Sequence, residues 1–208
     1  MTPLDRLQLP AEQRAALDAA YATPARMYHS IAHVDAVLAD VDIVDAGPGW
    51  AQPREVRLAV AYHDAIYDAG RSDNEARSAV LAREHIGRWM PHEGVDIERV
   101  VQLIELTARH GRIDAAELAG DPATQDALHF LDCDMAVLGA PPAVFDAYHR
   151  GIAAEYRGHV PGWLFKVNRK RFLKGLLARE RIFLSEFMHA RLDSQARINL
   201  RRAITHKQ

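Results

Sequence analysis

The chain has 208 residues, 49% of them apolar and 26% charged, with 26 Lys and Arg against 28 Asp and Glu. This composition is globular and excludes disordered and collagen-like chains. No run of about 18 apolar residues occurs, so no membrane span is expected. The length suits one ordinary domain or a tight pair of subdomains. The single cysteine, Cys133, cannot form an internal disulfide, and Met1 to Leu17 lacks the apolar block of a signal peptide, so the expected location is the cytoplasm. Charge is unevenly placed. Residues 166–208 carry 12 Lys and Arg against Glu180, Glu186 and Asp193, a net of +9 that leaves −11 for the rest. A basic C-terminal stretch on an acidic body suits either a nearby anion or a solvated helix face.

Helical periodicity runs almost throughout, and the expected fold is an all-α bundle of eight or nine helices. Ala11 to Tyr21 reads as the first helix, and His29 to about Val44 as the second, with His29, His33, Ala36, Val37 and Val41 on one stripe. After the Gly47-Pro48-Gly49 break, Pro53 starts a third helix whose run Leu58 to Tyr67 is apolar except for His63 and Asp64. Ser72 or Asp73 can cap a fourth helix with Glu75 in its first turn. Asp96 to His110 is a fifth and Pro122 to Leu138 a sixth, stopped by Gly139 and Pro141-Pro142. Val144 to Tyr156, Leu164 to Phe187 and Ser194 to Ile204 complete the set.

The informative residues are polar groups stranded in these apolar helices. His63 and Asp64 have no Lys or Arg between Leu58 and Tyr67 to meet the carboxylate, whose burial alone costs several kcal/mol. Neighbouring helix positions project about 100° apart, so the two reach one point only from beside a helix or near its end. His33 lies on the apolar stripe of the second helix, one turn after His29. In the sixth helix both Asp132 and Asp134 interrupt an apolar run, Asp132 sharing a stripe with Leu128 and Met135, Asp134 with Leu131 and Leu138. Periodicity does not choose between them. Two histidines and two carboxylates form a mixed nitrogen and oxygen set, which suits Mn, Fe, Co, Ni or Zn better than an all-oxygen Mg or Ca cage. The structural alternative is that each histidine is satisfied by a backbone carbonyl. The spacing His29-x-x-x-His33 does not make a zinc protease helix, because Ser30 stands where the general-base Glu is required.

His33, the doublet His63-Asp64 and Asp134, in that order, resemble the H…HD…D signature of HD-superfamily metal-dependent phosphohydrolases. The stretches Tyr28-His29-Ser30-Ile31-Ala32-His33, Ala61 to Asp68, and Asp73-Asn74-Glu75-x-x-Ser78-Ala79 resemble a compact bacterial branch of predicted phosphohydrolases in that superfamily. Thr107-x-x-His110, Leu131-Asp132-x-Asp134-x-x-x-Leu138-Gly139, Glu155-Tyr156 and Ala196-Arg197-x-Asn199-Leu200 extend the likeness over roughly residues 21 to 202. The resemblance implies one HD-type domain over 1–208, with a core at about 21–156 and C-terminal helices at about 161–204 packed on it. It favours Asp134 over Asp132, giving His33, His63, Asp64 and Asp134 as ligands of one divalent cation (Mn, Fe, Co, Ni, Zn or Mg), with a second ion as an option. One departure stands out: the branch commonly has Arg two residues before the Glu-Tyr pair, and here that position is Ala153, so Arg150 is the nearest replacement.

The implied reaction is metal-assisted hydrolysis of a phosphate ester or anhydride of a small metabolite or nucleotide. Asp64, Glu75 and Asp68 form the catalytic set, with Glu75 or Asp68 to orient or deprotonate the attacking water; the alternative for both is a charge favoured at a helix N-terminus. His29, His110, Arg150 and Tyr156 are the candidates for substrate phosphate, with Arg169 and Arg171 as further guanidinium groups. His29 and His110 can instead hold a second metal. Cys133 reads as packing. Two other functions compete. An HD-type di-iron oxygenase needs two adjacent metals. A non-catalytic nucleotide- or nucleic-acid-binding module would use the basic C-terminal stretch, but Phe165, Phe172, Phe183 and Phe187 fall there at helical spacing and look like core, and no nucleic-acid motif is present. No membrane or nucleic-acid partner is expected.

Overall fold

The computed structural model describes residues 1–24, 26–118 and 123–205. Among these the expected all-α architecture is found, as nine α-helices: α1 (Ala11–Ala22), α2 (Ile31–Asp45), α3 (Pro53–Tyr62), α4 (Asn74–Trp89), α5 (Ile97–Thr107), α6 (Thr124–Met135), α7 (Pro142–Glu155), α8 (Gly162–Ala178) and α9 (Glu186–Thr205). Short 3-10 turns occupy Leu4–Leu7, Ala115–Leu118 and Ala136–Gly139. The predicted start of the sixth helix, Pro122, lies outside the described residues. No helix among the described residues is long and apolar enough to cross a membrane.

α3 is the central rod. Val56, Leu58, Ala59, Val60, Ala61 and Tyr62 are all buried on it, and a helix apolar on most sides must be surrounded. α2, α4, α5 and α6 surround it. Its N-terminus is tied down by Asp126 of α6, which accepts from the backbone N–H groups of Ala51 (2.9 Å) and Gln52 (2.7 Å). Tyr62, Phe130 and Phe145 are fully buried, each worth about 1.5–3 kcal/mol of transfer free energy.

Two predicted helices are cut short or broken, and one predicted cap is not made. α3 stops at Tyr62 instead of running to Tyr67. The N-terminus of α4 carries no side-chain cap from Asp73, because that carboxylate pairs with Arg71 at 2.7 Å. Asp96 does cap α5, accepting from Arg99 N at 3.0 Å. The predicted Leu164–Phe187 helix is broken over residues 179–185. There the N–H groups of Leu184 and Ser185 go to Asp132, and that of Ile182 goes to Asp193 (2.7 Å each), so carboxylates replace helix carbonyls as acceptors.

Two glycines set the approach of elements around the site. A Cβ at Gly139 would lie 2.7 Å from Leu192 Cβ, so α9 can cross the Ala136–Gly139 turn only with glycine there. Buried Asn199 of α9 then donates to the carbonyls of Leu138 (2.9 Å) and Ala140 (2.8 Å). On α7 a Cβ at Gly151 would meet Tyr28 Cβ at 3.1 Å, so glycine lets the segment before α2 lie against that helix.

Candidate metal centre

Three of the four predicted ligands, His33, His63 and Asp64, form one group, and Asp134 approaches both of its histidines. His33 projects from the first turn of α2 and Asp134 from the last turn of α6. His63 and Asp64 lie at the unwinding C-terminus of α3, which lets adjacent side chains converge where a continuing helix would splay them by about 100°. Arg26 holds the unwound turn. Its guanidinium donates to the carbonyls of Asp64 (2.5 Å) and Ala65 (2.8 Å), and also to those of Ala20 (2.9 Å) and His29 (3.1 Å). Further along, Ser78 pairs with the backbone of Ile66 and Asn74 with that of Asp68, each through both N–H and carbonyl.

The His33 and His63 Nε2 atoms are 3.2 Å apart. Asp134 Oδ1 lies 3.0 Å from the first and 3.2 Å from the second. Asp64 Oδ2 lies 3.4 Å and 3.0 Å from the same pair. Donor atoms sharing one cation at about 2.0–2.2 Å have spacings of this size. Among the described residues, His33, His63 and Asp64 form a group able to hold a metal ion; Asp134 lies outside that group, against both imidazoles.

The donor chemistry fits a cation. His63 Nδ1 donates to the Val60 carbonyl at 2.8 Å, which fixes the tautomer and turns the Nε2 lone pair of the neutral ring toward two carboxylate oxygens and a second imidazole. Lone pairs and anions in contact, with His63 only 1% exposed, repel one another unless positive charge lies among them. Without a metal, protons on the imidazoles supply that positive charge. Burial opposes charge on His63, yet Asp64 and Asp134 outweigh it and hold the imidazole well above its ordinary value. Burial likewise opposes ionisation of Asp134, but His110 and His63, with hydrogen bonds from His33 and His63, hold it well below the usual carboxylate range. Two carboxylates against one divalent cation is a neutral set.

A cavity of about 320 Å³ opens onto this cluster. Among the other candidates, His29, Glu75, His110, Tyr156 and Arg169 line it, whereas Asp68, Arg150 and Arg171 do not. Asp68, Arg150 and Arg171 are exposed. His110 Nδ1 lies 3.0 Å from the second oxygen of Asp134, and its buried Nε2 has no hydrogen-bond partner. His29 stacks on Tyr67, with ring centroids 4.1 Å apart, and its Nδ1 is taken up by Glu155 at 2.7 Å. Cys133 is a buried core residue. Asp132 points away from the cavity: its carboxylate accepts from Leu184 N (2.7 Å), Ser185 N (2.7 Å) and Ser185 Oγ (2.6 Å).

Two organising residues were not among the predicted site residues. Glu155 Oε1 accepts the backbone N–H groups of Met27 (3.0 Å), Tyr28 (2.7 Å) and His29 (3.0 Å), and so fixes the segment leading into α2. Arg26 shapes the end of α3. Their partners are backbone groups as many as 128 residues away, which no local pattern reveals; Glu155 enters only as part of the Glu155-Tyr156 pair of the family resemblance. No family model, curated protein or solved structure matches this chain.

Proposed function

We propose that the chain is a metal-dependent phosphohydrolase of the HD-superfamily kind, cleaving a phosphate ester or anhydride of a small metabolite. The observation that carries this reading is the convergence of His33, His63, Asp64 and Asp134 within 3.0–3.4 Å, each imidazole against both carboxylates, at the floor of a cavity. The mixed N/O donors suit a first-row divalent metal. When bound, such an ion supplies an acidified water and a Lewis acid for a phosphoryl oxygen.

The remaining roles belong to the side chains that line the cavity. Glu75, in the first turn of α4, is the carboxylate available to accept a proton there, which takes over from Asp68 the role of orienting or deprotonating water. Arg169 is the guanidinium available to phosphoryl oxygens, in place of exposed Arg150. Tyr28, Tyr67, Tyr148 and Phe172 wall the cavity and exclude water from the reacting group. His29 gives its Nδ1 to Glu155, which leaves Nε2 as the nitrogen open to a phosphoryl oxygen or to a second ion.

The test is elemental analysis of the wild type beside His63→Ala and Asp64→Ala, followed by a screen of phosphomonoesters, phosphodiesters, nucleotides and sugar phosphates. One metal per wild-type chain is expected, and both variants should lose metal and hydrolysis together while keeping their helical circular dichroism. Metal-loaded wild-type protein inert across the whole panel would overturn the proposal.

A further inference from the structure

Beside the cluster lies a second, larger cavity of about 590 Å³, between α7, α8 and the C-terminal turn of α9. Tyr156 and Arg169 line both cavities and form their common wall. The larger one is also lined by Arg157, Lys166 and Lys170, with no Asp or Glu among its lining residues. Part of the basic excess of residues 166–208 therefore lines a half-open cavity. Phe165, Leu173 and Ile204 supply its apolar wall.

Two polar groups at this cavity are buried without a partner. Arg169 Nε and Nη2 make no hydrogen bond, although the guanidinium is held against the Tyr148 ring at 4.9 Å and the Phe172 ring at 5.4 Å. His149, only 8% exposed and stacked on Phe145, leaves its Nδ1 unsatisfied. A buried polar group without a partner costs about 1–3 kcal/mol, more when charged. Those atoms are shut off from the open space, so an anion there is met by the open face of the lining, Arg157, Lys166, Lys170 and Arg169, with no Asp or Glu among the lining residues. A volume of this size holds a molecule of metabolite dimensions, far more than one phosphate.

We propose that this cavity is an anion subsite, and that the substrate at the neighbouring metal cluster is an organic phosphate carrying a second anionic group, a phosphate or a carboxylate. The subsite rests on the phosphohydrolase reading for its neighbour. One phosphate lies at the cluster, Arg169 stands at the boundary, and the second anion lies among Arg157, Lys166 and Lys170, with the organic body against Phe165 and Leu173.

The experiment measures affinity for matched pairs of probes on the metal-loaded full chain by calorimetry. Glucose 1,6-bisphosphate is compared with glucose 1-phosphate, and 3-phosphoglycerate with glycerol 3-phosphate; the two pairs separate a second phosphate from a carboxylate. The wild type is expected to prefer the doubly anionic member of at least one pair by about 10-fold or more, the size of one or two charge-assisted contacts. The double variant Arg157→Glu, Lys170→Glu, both positions being exposed, is expected to bind the two members of each pair equally, with its metal content confirming the fold. Equal affinities in the wild type, or a preference that survives the double variant, would overturn the subsite. Wild type without bound metal would instead overturn the phosphohydrolase reading, and a preference seen even then would leave the subsite standing.

Discussion

Asp132 and Asp134 sit two residues apart on α6, both interrupting an apolar run, and they meet opposite fates. Asp132 turns toward the broken segment before α9 and is satisfied by two backbone N–H groups and a hydroxyl. Burial pushes its carboxyl up to about 7, against the pull of those donors. Asp134 turns the other way and meets His33, His63 and His110, with no backbone donor among its contacts. Its carboxyl is held well below the usual range. Burial is common to both, so burial alone does not mark a functional carboxylate. What differs is the partner. Backbone and hydroxyl donors complete Asp132, whereas Asp134 is met by imidazoles, which can give it a proton or share a cation with it.

The sharpest way to break this comparison is to exchange the two phenotypes. Asp134→Asn is nearly isosteric and removes one ligand charge. It is expected to lower metal affinity by more than about 100-fold, beyond the 10–100-fold typical of losing an outer-shell partner. The metal-free protein should melt lower, since the fold favours the ionised carboxylate against its imidazoles. Titration with Mn²⁺ and Zn²⁺ and a thermal melt read both quantities.

Asp132→Ala is the complementary experiment. It orphans two backbone N–H groups and a hydroxyl, and should cost about 2–4 kcal/mol, the expected range when buried donors to a carboxylate lose their acceptor. Metal stoichiometry should stay that of the wild type. A variant that loses metal yet melts normally would assign Asp132 to the centre and sink the division of roles.

The sequence could not separate the two aspartates because each shares a stripe with apolar neighbours one turn away. The deciding partner of Asp132, Ser185, is 53 positions along the chain. His33 and the His63-Asp64 doublet were legible for the opposite reason: their surroundings, Val34, Val37, Val60 and Ala61, are local and apolar. The end of α3 was not legible. Residues 63–67 carry a helical pattern, and only Arg26, nearly forty positions earlier, draws the Asp64 and Ala65 carbonyls out of it. The cavity that adds Arg169 to the site, and leaves Arg150 off it, depends on how α8 crosses α7, which no local period encodes.

A smaller effect sharpens the comparison at Glu155, a carboxylate completed by backbone donors like Asp132 yet adjoining the cavity like Asp134. Burial opposes its ionisation, but His29 and the backbone N–H groups prevail and lower its pKa. Glu155→Ala should cost about 2 kcal/mol and free the segment 27–29. Amide exchange of Met27, Tyr28 and His29 should quicken, and a variant leaving those amides protected would show that Gly151 alone holds the segment.

Asp40 supplies the control: a carboxylate with neither kind of completion. It lies on α2, half-buried in a groove beside Cys133, and among the described residues no hydrogen-bond donor meets it. Burial pushes its carboxyl from 3.8 up to about 6, with Arg191 of α9 pulling the other way. A raised pKa means that the fold prefers the protonated form. The stabilisation is complete below the ordinary value and is lost as pH rises through about 6. Asn has no proton to lose, so the melting curves of Asp40→Asn and wild type should coincide near pH 4, separate between pH 4 and 6, and run parallel above. The plateau should favour the variant by about 1–2 kcal/mol, the shift discounted for partial exposure. A constant gap at every pH would mean that Asp40 is solvated, and that an incompletely satisfied carboxylate on this face costs the fold nothing.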